Sequence, residues 1–186
     1  ALYIDHTLPS GGLEEVTATI GRLNGENKAA AIEHTFICRT LLDEFGNLRR
    51  SVEVLKEAAD RTGDVGLKKQ LVQRLYELED IQGLLDRTDE ENPADQDATL
   101  LAFRAMGLSA QGKSDEANVA LGALEQRKDD NAAAAWAPLI KAVYVDKVAP
   151  QALLEVCKAS LAREPGNPYF HYFMGSAQEQ LGEPDL

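Results

Sequence analysis

Gly46-Asn47-Leu48-Arg49-Arg50-Ser51-Val52-Glu53-Val54-Leu55-Lys56-Glu57-Ala58 and Gly112-Lys113-Ser114-Asp115-Glu116-Ala117-Asn118-Val119-Ala120-Leu121 are two versions of one pattern. A glycine opens each. A small residue (Ser51 or Ala117) follows five positions on, and a large one (Leu55 or Leu121) four positions after that. A left-handed glycine closes a preceding helix, because it lacks the Cβ that makes this conformation costly for other residues. Residues four apart share a helix face, and the small one lets a neighbouring helix come close. Each stretch therefore reads as a turn between two helices, followed by the buried edge of the second.

The rest of the chain is helical in character too. Its 186 residues are rich in Ala, Leu, Glu and Gln, only 6% are aromatic, and no alternating β-branched run occurs. Gly and Pro fall at junctions such as Glu164-Pro165-Gly166-Asn167-Pro168. The pattern predicts helices at 11–24, 28–45, 48–62, 65–78, 81–90, 97–111, 114–128, 132–146, 150–163 and 167–181. Connections this short make successive helices antiparallel, and the fold class is all-α. The turn recurs at Gly46, Glu79, Gly112, Lys147 and Gly182, at intervals of 33, 33, 35 and 35 residues. A period in this range belongs to stacked helical hairpins, an α-α superhelix in which no hairpin buries its apolar face alone.

These residues resemble the tetratricopeptide repeat family. Ser51/Leu55 and Ala117/Leu121 are similar to its small and large second-helix positions, and Ala152 and Val156 take the same places after Lys147. Trp136-Ala137-Pro138-Leu139-Ile140-Lys141-Ala142-Val143 is similar to its first-helix Trp-x-x-Leu-small-x-x-Tyr pattern. Leu161 through Pro168, and then Tyr169 to Gly182, resembles the Pro-containing passage into another first helix, with His171 in the place of the Trp. Arg39 and Arg104 depart from the pattern, standing where the family prefers Gly/Ala and Leu. Thr88 and Glu91 stand at expected core sites, so the helix after Glu79 should be short or shifted. Pro138 falls inside a helix, near its first turns, where its missing N–H costs less.

The resemblance divides the chain into an N-terminal segment, 1–27, and an array, 28–186, with units near 30–62, 64–96, 97–131, 132–166 and 167–186. Leu13, Val16, Ile20 and Leu23 fit a second helix without its first partner, and Gly182-Glu183-Pro184-Asp185-Leu186 reads as the start of a further helix. Both ends thus read as unfinished. The chain is expected to be a segment of a longer array, or to pair through its ends as a homo-oligomer.

Charge and composition exclude some classes of partner. The net charge is −12, split as −7 up to Pro93 and −5 beyond it. Nucleic acid and anionic membrane surfaces are therefore not expected as main partners, since phosphate binding needs clustered Lys and Arg. The longest apolar run, Ala132 to Ile140, is far short of the roughly 20 residues of a membrane span. Cys38 and Cys157 form no disulfide framework and read as small buried hydrophobes. Two such thiols lean towards a reducing compartment such as the cytoplasm, with the periplasm as the alternative.

Candidates for chemistry are few, and each has a plainer structural reading. His34 and Cys38 share a helix face, as two metal ligands would, but no further Cys or His is near in sequence and Cys38 falls at a packing position. Asp5-His6-Thr7 has nothing to orient it as a catalytic set. Gly11-Gly12 lacks the preceding strand and following Lys of a phosphate cradle. The acidic stretch from Glu77 to Asp97 lacks the alternating ligands and central Gly of a calcium loop, and reads as a solvated edge. Nucleotide-binding loops, zinc-protease helices and nucleophile elbows do not occur. No catalytic residue, metal or cofactor is expected.

What the resemblance implies is binding. In tetratricopeptide arrays the first helices line a concave groove that receives a peptide or a helix. The repeat phase gives Phe36, Thr40, Lys69, Gln73, Tyr76, Phe103, Met106, Lys141, Tyr144, Tyr169 and Tyr172 as groove candidates, with interhelical packing as the alternative role, above all for Phe103. The carboxylate clamp of the chaperone-tail-binding members needs Lys and Asn at set places. Those places are held here by Phe36, Thr40, Lys69, Gln70, Ala102 and Phe103, so that ligand is not expected. The expected function is a non-enzymatic scaffold for a protein or peptide partner. The alternatives are a regulatory or substrate-recruiting module of a larger enzyme or membrane-anchored protein, and a self-assembling structural protein.

Overall fold

The computed structural model describes residues 28–44, 46–89 and 96–182. The expected helix at 11–24, the Asp5-His6-Thr7 and Gly11-Gly12 groups, Glu91 and the segment after Gly182 lie outside these residues. All regular structure among the described residues is helical: α1 Lys28–Glu44, α2 Leu48–Thr62, α3 Val65–Glu77, α4 Ile81–Thr88, α5 Ala98–Ala110, α6 Ser114–Glu125, α7 Asn131–Ile140, a π-helical segment Lys141–Val145, α8 Pro150–Arg163 and α9 Pro168–Leu181. The protein is all-α. It divides into two compact units, Ala1–Glu79 and Asp80–Leu186, whose border falls inside the 64–96 repeat of the sequence reading.

All five turn residues of the repeat adopt positive φ: Gly46 (70°), Glu79 (58°), Gly112 (74°), Lys147 (48°) and Gly182 (76°). The periodicity thus marks a recurring backbone conformation. At Glu79 and Lys147 the chain adopts it against the steric preference of a side chain with a Cβ.

In the first unit α2 packs on both α1 and α3. Asn47 caps α2, its side chain accepting from Arg50 N, and left-handed Gly63 ends it by donating its N–H to Ala59 O. Asp64 caps α3 by accepting from Leu67 N at 2.9 Å. Ser51, Leu55 and Ala58 form the buried edge of α2, and Leu67, Leu71, Val72 and Leu75 that of α3. A fully buried leucine such as Leu55 contributes about 1.5–3 kcal/mol.

In the second unit α4 has eight residues, short as expected. Thr88 is fully buried, and its hydroxyl donates to Leu84 O at 3.0 Å. Gly107 of α5 faces α4 so closely that a Cβ there would lie 2.9 Å from Leu84 Cδ2. Helix α6 packs on α5 and α7, α8 on α7 and α9, and α5 on α7. Within each unit, then, helices pack on their neighbours in sequence, as the hairpins of an α-α superhelix do.

The helix expected at 132–146 is realised as α7 followed by the π segment, where Asp146 N donates to Lys141 O five residues back. The looser winding absorbs an additional residue. One more follows between Lys147 and Pro150, because α8 begins three residues after its turn whereas α6 begins two after Gly112. This corrects the expected register. Ala152 is exposed and Val156 half-buried, and Leu153 and Cys157 take the buried places instead. Counted from the first helical residue, Ser51/Leu55/Ala58, Ala117/Leu121/Leu124 and Leu153/Cys157/Ser160 are the same three positions.

Candidate interaction surface

The aromatic side chains of the second unit sort into a buried cluster and an exposed rim. Phe103 of α5, Trp136 of α7 and Phe170 of α9 have no accessible surface, and Tyr169 keeps only 7%. Phe103 and Tyr169 meet edge to face at 4.9 Å between centroids, and Trp136 and Phe170 do so at 4.7 Å. Such pairs add about 0.5–1.5 kcal/mol each beyond area burial. Phe103, Met106 and Tyr169 are therefore core residues and not groove contacts. The packing alternative holds for them, and Met106 is fully buried as well.

His171 is corrected too. Expected to pack, partly buried, in the place of the family's Trp, it is exposed, with Nε2 2.9 Å from Pro165 O, and its neighbour Phe170 is the buried ring that packs on Trp136.

On the outside of this cluster Tyr172 is 68% exposed, with its ring held against Phe173 at 5.4 Å and 72°. Tyr144 is half-buried in the π segment, and Val145 beside it is 46% exposed. Lys141 is exposed and reaches Glu125 of α6 at 3.8 Å, a long contact between two half-exposed side chains that contributes little to stability. The exposed side chains of these elements thus include an aromatic, an aliphatic and a cation.

In the first unit Phe36 is half-buried and Thr40 exposed, and the Thr40 hydroxyl donates to Phe36 O at 2.9 Å. Lys69, Gln73 and Tyr76 are half-buried along one stripe of α3. Sequence reasoning missed the ionic seam between these helices. Arg74 of α3 donates to Asp43 of α1 at 2.6 Å and also pairs with Glu77, and Arg39 lies 3.5 Å from the same Asp43 oxygen. Arg39, out of place in an apolar repeat, was the available signal.

Cys38 is buried and its thiol is pushed up by desolvation, an effect that Arg50 partly opposes. That favours the neutral thiol over the thiolate a metal would need. The His34 side chain lies outside the described residues. Among the described residues no group of three or more His, Cys, Asp or Glu could hold a metal ion, and no helix is long and apolar enough to cross a membrane. Compared with known proteins, the chain matches no family model, no curated protein and no solved structure.

Proposed function

We propose that this chain is a tetratricopeptide-like, non-enzymatic interaction module that binds a peptide or a helix of a partner protein on the first-helix face of its second unit. The observation that carries the reading is Tyr172. A large aromatic side chain 68% exposed on a helix, and ordered against Phe173, is an anchor that loses little conformational freedom on binding. Lys141, Tyr144 and Val145 belong to the same unit and supply a cation and further contact area. The repeated left-handed turns support the family likeness. The net charge of −12 favours a protein partner over nucleic acid.

The test is to pan a displayed peptide library on the chain and to measure the enriched peptides against two variants. Tyr172→Ala is expected to weaken them at least tenfold, whereas Val119→Ser, on the second helix α6, leaves them unchanged. Peptides indifferent to Tyr172→Ala would refute the proposed site.

A further inference from the structure

We draw no further inference here: the strongest candidate, the solvent-facing side of α9 around Tyr172, belongs to the surface already proposed for a partner, and nothing in the structure shows what covers it.

Discussion

The guanidinium of Arg104 in α5 donates to the main-chain carbonyl of Thr88, at 2.9 Å, where α4 ends. Gln96 donates to the same oxygen at 2.9 Å, and Arg104 also pairs with Asp89. The last carbonyls of a helix have no partner within it, and here a side chain from the next helix supplies one. An arginine in an otherwise apolar helix is thereby explained: it fastens the end of a helix that stops early.

Replacing Arg104 by methionine keeps most of the side-chain volume and removes the donors. With its side chain 18% exposed, the loss is expected to be about 1–3 kcal/mol. Urea unfolding followed through Trp136, the chain's single tryptophan and a member of the same unit, measures it directly. No change in the midpoint would mean that Gln96 alone holds the Thr88 carbonyl.

Two buried serines should respond to alanine with opposite signs. The Ser51 hydroxyl is buried without a hydrogen-bond partner among the described residues, and its counterpart in α6 is already Ala117. Ser51→Ala is expected to stabilise by about 1 kcal/mol. Ser160 donates to Ala135 O at 2.8 Å, which ties α8 to α7, so Ser160→Ala should cost about 1 kcal/mol. Thermal melts monitored by circular dichroism would compare them, and a shared sign would contradict the account.

A second opposed pair isolates the backbone. Around both Gly112 and Gly122 an added Cβ would meet nothing within 4 Å, but only Gly112 has a positive φ, 74°. Gly112→Ala is therefore expected to destabilise by about 1–2 kcal/mol through conformation alone. Gly122→Ala, inside α6, should stabilise by about 0.5–1 kcal/mol. Denaturant titration of the two variants is sufficient, and equal shifts would rule out the explanation.

Burial raises the Cys157 thiol from 9.0 to about 11. Its folded pKa lies above its unfolded one, so the folded state binds the proton more tightly. The associated stability is complete below pH 9 and is lost as the pH rises towards 11, by about 2–3 kcal/mol at most. Cys157→Val removes this contribution, and its unfolding free energy should fall less steeply than the wild type's between pH 9 and 11. Parallel pH profiles for the two proteins would disprove it.

Much of the fold is legible in the sequence because turns and buried edges are local. Gly46, Glu79, Gly112, Lys147 and Gly182 are identified by spacing alone, although Glu79 and Lys147 lack the residue type that favours their conformation. A short α4 is expected from Thr88 and is observed, although Thr88 itself fills a buried place with its hydroxyl bonded to Leu84 O. Register after Lys147 is not legible, because a π turn and one longer connection add residues that composition does not mark. The candidate surface is less legible still. Phe103 and Tyr172 both look like groove aromatics, and only packing against Trp136 and Tyr169 sends one inside while the other stays out. The Arg74–Asp43 pair joins residues 31 apart, a distance at which charge pattern gives no pairing rule.

The edge contact between Phe103 and Tyr169 spans the whole α7–α8 hairpin, to which neither ring belongs. Arrays held only by adjacent repeats fray from their ends, one hairpin at a time. Here the departure of α9 would strip a ring from α5 as well as from Trp136, so loss at the edge is charged to the interior. The second unit is thereby made more nearly all-or-none in its unfolding than nearest-neighbour stacking alone would make it.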